Sequence, residues 1–472
     1  MLRGSAIVLA LGLLGLALGF AREWLLVRAW GAGELSDGFI VGVFLPEAAR
    51  MTLSTGLLGS VALALWAAHR GGPRAGPWSA LIGGQLLALG LALALTVWAA
   101  PGVWVHWVGP GLAGPALAVG GRVLAVAAWA LPFLFLAAWL SVFHHAEERF
   151  FWPAAGGVLF NGPPVAYLAL LGARARPEVV ALAQVAGAAL ACLVLLPGAW
   201  RAGWRPWARR LPWGESAVFY RRLGPLLASS GASQAGVWLE RFLASYLESG
   251  SVTLVHLARK LMGLPAMMVT ALSQVALARL VGSGERERVL AQALGFAGLV
   301  AMPAALAACA LAPLVADWVL PPASDRGALA ALVGLFALAL VPAGWNALLA
   351  RWFYAHGDTL HPTRIEIAGT LVQMAGTAGA FPWLGLYAFP VGTLAGALYV
   401  WWRLMGDGPQ ARARPLLLGG LGLLSLVLAG LWLRPLPWED PGPALAALAA
   451  LALAGTGLGG WLARRLARGA SS

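Results

Sequence analysis

The chain has 472 residues, of which 60% are hydrophobic and only 11% are charged, and its mean hydropathy is +0.79. A soluble chain carries about a quarter charged residues, so this composition excludes a soluble enzyme, a disordered chain and a nucleic-acid-binding domain. The net charge of +13 does not indicate nucleic acid, because the basic residues lie at the ends of apolar runs. Long unbroken apolar runs also exclude a transmembrane barrel, and the sequence predicts an all-α polytopic membrane protein.

A transmembrane helix needs about 20 apolar residues, and this criterion predicts about 14 spans along the chain. Pro46 and Pro265 lie within the second and eighth spans and are expected to break those helices. Arginines concentrate after the sixth span, which predicts cytoplasmic N- and C-termini. Tryptophans interleave with these arginines, so the segment 201–222 is expected to lie against anionic lipid. The predicted spans are 5–30, 36–66, 78–100, 121–143, 154–172, 178–200, 223–247, 251–278, 289–313, 327–352, 363–382, 386–404, 415–433 and 443–463.

An internal duplication organises these spans. Pro46 and Pro265 are 219 residues apart, and the same offset pairs Arg22 with Arg241. Six spans is an even number, so two tandem six-helix copies enter the membrane in the same orientation. The duplication predicts two lobes related by a pseudo-two-fold axis along the membrane normal, with a cavity between them. The predicted domains are an N-lobe at 1–222 (spans 1–6), a C-lobe at 223–410 (spans 7–12), and spans 13–14 at 411–472.

Charges predicted at membrane depth come from the first two helices of each copy. Such a charge is costly and normally faces a water-filled cavity or a partner. One interpretation is a cationic cavity whose guanidinium groups bind the oxygens of a pyrophosphate. At least two of Arg22, Arg50 and Lys260 are expected to line it. The predicted substrate-binding residues are Arg22, Glu23, Asp37, Arg50, Glu240, Arg241, Arg259 and Lys260.

The alternative interpretation of these charges is structural pairing. Arg22 and Glu23 are neighbours in sequence and point to different helix faces, so they are expected to make a poor pair. Glu47 and Arg50 are three residues apart on one helix and can touch.

Five segments, in order along the chain, carry a resemblance to a known family. The first is LGFAREWLLVRAWGAGELSDGFIVGVFLPEAAR, from Leu18 to Arg50. It resembles the first two helices of the lipid II flippase (MurJ/MviN) family, within the multidrug/oligosaccharidyl-lipid/polysaccharide exporter superfamily. The other four segments are ERFFWPAAGGVLFN (148–161), ERFLASYLESGSVTLVHLARKLMGLP (240–265), VALARL (275–280) and RWFYAHGDTLHP (351–362).

The resemblance implies a fourteen-helix fold with a central cationic cavity and a groove for the polyprenyl tail formed by spans 13 and 14. It implies a bacterial plasma-membrane protein that carries lipid II, the undecaprenyl-pyrophosphate-linked peptidoglycan precursor, to the outer leaflet by alternating access. By position, Arg22, Asp37, Arg50 and Lys260 match the family's functional charged sites. The sequence departs from the family pattern at Leu16, Met51 and Arg259.

These departures leave alternative functions open. The chain could export another lipid-linked glycan or a drug, act on polyprenyl phosphates as a membrane enzyme, or serve as a non-transporting cell-wall scaffold. A transporter that is not an enzyme is the preferred interpretation, because no catalytic or nucleotide-binding motif occurs. No metal site and no cofactor are predicted; the membrane potential could drive transport, and a monovalent cation is an open alternative. The predicted partners are lipid II or a related glycan, membrane lipid and the cell-wall synthesis machinery, and no nucleic acid.

Overall fold

All regular structure in the described part of the chain is helical. The computed structural model describes residues 2–54, 57–208, 213–263, 265–266 and 286–407. Short 3-10 turns occupy Gly172–Arg174 and Gly385–Tyr387. The helices are α1 (Leu2–Trp30), α2 (Glu34–Gly42), α3 (Phe44–Ser54), α4 (Leu57–His69), α5 (Ala75–Ala99), α6 (Pro101–Val108), α7 (Gly114–Ala127), α8 (Ala130–Ala146), α9 (Phe151–Leu171), α10 (Pro177–Arg201), α11 (Trp213–Ala244), α12 (251–263), α13 (Arg286–Val319), α14 (Arg326–Ala337), α15 (Leu340–Ala355), α16 (Leu360–Leu384) and α17 (Ala388–Gly406).

Many of these helices are long and apolar enough to cross a membrane. Within the described residues there are seven such helical segments, or up to nine if each of two bent pairs is one span. The all-α polytopic class is confirmed. The count of 14 stays a prediction, since spans 13 and 14 and residues 267–278 of span 8 lie outside the described residues. The predicted break near Pro265 stays a prediction for the same reason.

The predicted break in the second span lies between α2 and α3, close to Pro46. α2 ends at Gly42 and α3 begins at Phe44, so Pro46 lies in the first turn of α3. A proline destabilises a helix little at that position. The N–H groups of the first turn make no hydrogen bond within the helix, so none is lost when proline lacks its N–H. The fourth predicted span is also broken, between α7 and α8, with a bend of 41°. Pro132 lies in the first turn of α8, as Pro46 does in α3, but no break was predicted there from the sequence.

The chain divides into two compact units, Met1–Thr253 and Leu254–Ser472. The first unit has an aromatic core in which Trp66, Trp78, Trp139 and Phe143 are buried. In the second unit, α16 packs along α17, and α13 packs against α14 and α15. The predicted lobe boundary after residue 222 falls inside α11. That boundary was predicted from the sequence duplication, whereas the compact units are defined by packing. The lobe boundaries stay a prediction.

Two close helix contacts position the charged residues of the first unit. α1 packs along α9, and α2 packs along α7. The second contact depends on Gly42, since a Cβ there would lie 2.8 Å from the carbonyl oxygen of Gly120. Small residues allow helix backbones to approach in this way inside a membrane.

Candidate functional site

Arg22 lies at the centre of a buried ionic cluster in the first unit. It projects from α1 and is only 1% exposed. Its Nη2 donates to Oε1 of Glu23 and to Oε1 of Glu47 on α3. Its Nη1 lies 3.5 Å from Oδ1 of Asn161 on α9. The cluster therefore joins three helices through one guanidinium, and a buried charge needs partners of this kind.

The expectation that Arg22 and Glu23 make a poor pair is wrong. The two side chains are long enough to meet beside α1, and Glu47 approaches the same guanidinium nitrogen from α3. That Arg22 binds substrate stays a prediction, because its donors are directed at protein acceptors in this structure.

Arg50 has a different environment from Arg22. It lines a cavity of about 350 Å³ inside the first unit, formed by α1, α3, α8, α9 and α10. Its guanidinium carbon lies 4.9 Å from the centre of the Phe160 ring, and its Nη2 lies 3.8 Å from the sulfur of Met51. Among the described residues Arg50 makes no ion pair within 4 Å. Glu47 pairs with Arg22 and also interacts electrostatically with Arg50, which lies three residues later on α3. The cavity thus presents a cation among mainly apolar walls, with Ser141 and His145 as its other polar side chains.

Asp37 caps a helix that lies far away in sequence. It is 3% exposed in the first turn of α2. Its Oδ2 accepts from the Gly250 N–H at 2.6 Å, and its Oδ1 accepts from the Thr253 N–H at 2.8 Å and the Thr253 hydroxyl at 2.5 Å. These donors are at the N-terminus of α12, where a carboxylate satisfies free N–H groups and complements the helix dipole. Asp37 therefore holds α2 and the start of α12 together within the first unit.

Glu240 and Arg241 are buried at the end of α11, 4% and 7% exposed. The Arg241 guanidinium carbon lies 4.7 Å from the centre of the Phe44 ring, and its Nη1 lies 3.4 Å from the Val237 carbonyl oxygen. Arg241 thus contacts the first residue of α3, the helix that also carries Glu47 and Arg50.

Arg259 and Lys260 lie on α12, where both are partly buried. Arg259 Nη2 donates to the Thr393 hydroxyl of α17 at 2.8 Å, and its guanidinium carbon lies 5.1 Å from the centre of the Phe336 ring. These contacts belong to the second unit. A role of either residue in substrate binding stays a prediction.

Sequence reasoning missed several residues that make hydrogen bonds to these charged side chains. Asn161 is 4% exposed and donates from Nδ2 to the carbonyl oxygens of Gly157, at 3.0 Å, and Gly15, at 3.3 Å. A signal for it existed, since a lone amide in an apolar span needs a partner. Thr253 and Gly250 gave no such signal, because nothing local indicates that Asp37 accepts from them.

Comparisons with known proteins identify the family. A family model described as "Lipid II flippase MurJ" matches residues 26–426. The chain is 27% identical over 398 residues to "Lipid II flippase MurJ" of Burkholderia cenocepacia, covering 79% of this chain and 77% of that protein. It is 26% identical over 267 residues to "Probable lipid II flippase MurJ" of Thermotoga maritima, covering 56% of this chain and 54% of that protein.

Solved structures show the same fold. A "Lipid II flippase MurJ, inward closed conformation" superposes with a TM-score of 0.79 at 15% identity, covering 97% of this chain and 98% of that chain. An inward-facing MATE family multidrug transporter of the MOP superfamily superposes with a TM-score of 0.67 at 15% identity, covering 89% and 98%.

The fold is thus that of a polytopic α-helical membrane protein, with charged side chains buried among its membrane-length helices. Within that class, the chain belongs to the lipid II flippase MurJ family.

Proposed function

We propose that this chain moves lipid II from the inner to the outer leaflet of the bacterial plasma membrane, as a transporter and not as an enzyme. The family match over residues 26–426 carries the proposal. The charge of this chain's own cavity provides a second argument for the substrate.

The Arg50 cavity supports an anionic substrate. A guanidinium that makes no ion pair among the described residues is costly at membrane depth, and a phosphate oxygen would complement its planar donors. The volume of about 350 Å³ is near the lower end for ligand pockets. It accommodates only part of a lipid-linked disaccharide-pentapeptide, so we assign Arg50 to the pyrophosphate rather than to the sugars or the peptide.

The Asp37 contact supports a structural role for this carboxylate. Three hydrogen bonds join α2 to the start of α12 within the first unit. Each hydrogen bond to a charged group contributes about 1.5–3 kcal/mol. We therefore assign Asp37 to holding the start of α12 in place instead of contacting substrate.

The proposal also includes the orientation of the chain in the membrane and the driving force for transport. Both termini are placed in the cytoplasm by the arginine bias. A membrane potential negative inside would favour outward movement of an anion by about 2.3 kcal/mol per charge per 100 mV. No cofactor is required in this scheme, and no monovalent cation is assigned to it.

Rescue of bacterial cells depleted of their own lipid II flippase tests this function. We expect the wild-type chain to restore growth and the appearance of lipid II at the outer leaflet. Arg50→Ala is expected to abolish rescue at matched membrane levels, because the substrate loses its counter-charge. Arg174→Ala is the matched control, since Arg174 is exposed at the end of α9 and lies outside the cavity.

Two results would overturn the proposal. The first is failure of a well-expressed, correctly inserted wild-type chain to rescue, which would favour another lipid-linked glycan as the substrate. The second is full rescue by Arg50→Ala, which would remove Arg50 from the binding site.

A further inference from the structure

A second cavity in the first unit lies away from Arg50. It has a volume of about 390 Å³ and is bounded by the end of α8, the start of α9 and the end of α10. Its lining includes His144, Arg149, Trp152 and Arg201. We call it the basic pocket.

The basic pocket contains two arginines without carboxylate partners. Arg149 and Arg201 are both exposed, and neither makes an ion pair among the described residues. The nearest acidic residues in sequence are Glu147, which pairs with Arg70, and Glu148, which precedes Arg149. Both arginines line one concave surface, and guanidinium groups are planar donors suited to phosphate oxygens.

His144 adds a buried polar group to the pocket wall. It is 3% exposed, and its Nε2 lies 2.9 Å from the Leu195 carbonyl oxygen. Because that oxygen can only accept, Nε2 carries the hydrogen. The other ring nitrogen, Nδ1, has no hydrogen-bond partner among the described residues.

The pocket lies where two helices leave the membrane. One membrane-length helical segment starts at Phe151, and another ends at Arg201. Large aromatic side chains around the pocket are exposed: Phe151 by 48%, Trp152 by 43% and Trp200 by 44%. Exposed aromatic residues at span ends are typical of the membrane interface.

We infer that the basic pocket binds the phosphate of an anionic phospholipid, with Arg149 and Arg201 as its ligands. A phospholipid fits better than a soluble anion, because the exposed aromatic side chains contact the upper part of acyl chains while the arginines contact the headgroup. The arginine bias places this end of α9 and α10 on the cytoplasmic side, where anionic lipids are enriched. This inference does not depend on the transported substrate.

Lipid binding to the purified full chain tests the inference directly. The protein would be purified in a neutral detergent and titrated with phosphatidylglycerol or with phosphatidylcholine of the same acyl chains. Native mass spectrometry counts the retained lipids. We expect one phosphatidylglycerol to bind about tenfold or more tightly than phosphatidylcholine, and Arg149→Gln/Arg201→Gln to remove that preference.

The chain provides a matched control on the same two helices. Arg174 and Arg176 are exposed at the opposite ends of α9 and α10, so Arg174→Gln/Arg176→Gln removes the same charge elsewhere. The control is expected to keep the preference. An equal loss of the preference in the control would show that the preference depends on total charge, and it would overturn the assignment of the lipid to the basic pocket. Equal binding of the two lipids by the wild-type chain, or displacement of phosphatidylglycerol by submillimolar inorganic phosphate, would overturn the lipid assignment.

Discussion

Arg22 on α1 and Arg50 on α3 have opposite environments in this protein. Arg22 is enclosed by Glu23 and Glu47, whereas Arg50 faces a cavity and contacts an aromatic ring. Both are charges at membrane depth, which is all that the sequence could establish. The structure shows that Arg22 joins three helices and that Arg50 lines a cavity, which is why we propose Arg50 as a ligand of the anionic substrate.

At the residue scale, Arg22→Gln is expected to destabilise the first unit. It removes the cation that the buried carboxylates of Glu23 and Glu47 share, and breaking a buried ion pair costs about 3–5 kcal/mol. The thermal unfolding midpoint of the detergent-purified protein measures the loss. Arg28→Gln on the exposed side of α1 is the control. Arg22→Gln/Glu47→Gln should recover part of the stability, and a midpoint for Arg22→Gln equal to that of Arg28→Gln would contradict the cluster.

At the element scale, Asp37 and α12 are joined by hydrogen bonds across more than 200 residues of sequence. Asp37→Asn removes the charge and one acceptor, so the Gly250 and Thr253 amides should exchange hydrogen about tenfold faster. Hydrogen-exchange mass spectrometry of peptides covering 250–253 measures this. Glu34→Gln, an exposed acid in the same turn of α2, should leave the exchange unchanged. Unchanged exchange in Asp37→Asn would show that its carboxylate does not cap α12.

The contact between α2 and α7 gives a second prediction at this scale. Gly42→Ala places a methyl group 2.8 Å from the Gly120 carbonyl oxygen, so the two helices must separate. Overpacking of this kind costs about 1–3 kcal/mol and should lower the thermal unfolding midpoint. Gly121→Ala on α7 is the control, because a Cβ there meets no atom within 4 Å. Equal midpoints for the two variants would mean that α2 and α7 do not pack closely at Gly42.

At the scale of the whole molecule, the sequence predicted the structural features that depend on local composition. The helical class followed from apolar runs, and the break before α3 followed from Pro46. The bend between α7 and α8 was not predicted, although Pro132 in the first turn of α8 is the same signal that Pro46 gives in α3. Long-range partners such as Asp37 with Thr253 depend on tertiary packing, which no local pattern encodes. The segments that resemble the family supplied the function, and the family match over residues 26–426 confirmed it.

Transport of lipid II by the purified chain in proteoliposomes tests the central claim most directly. Wild type, Arg50→Ala, Arg50→Lys and Arg174→Ala would be compared for movement of labelled lipid II between leaflets, with and without an imposed potential. We expect transport by wild type and Arg174→Ala, and a fall of at least about tenfold in Arg50→Ala, since a charged hydrogen bond contributes about 1.5–3 kcal/mol. Arg50→Lys should retain part of the rate, because it keeps the charge but not the planar donors. No movement of lipid II by folded wild-type protein, or an unchanged rate in Arg50→Ala, would contradict the account.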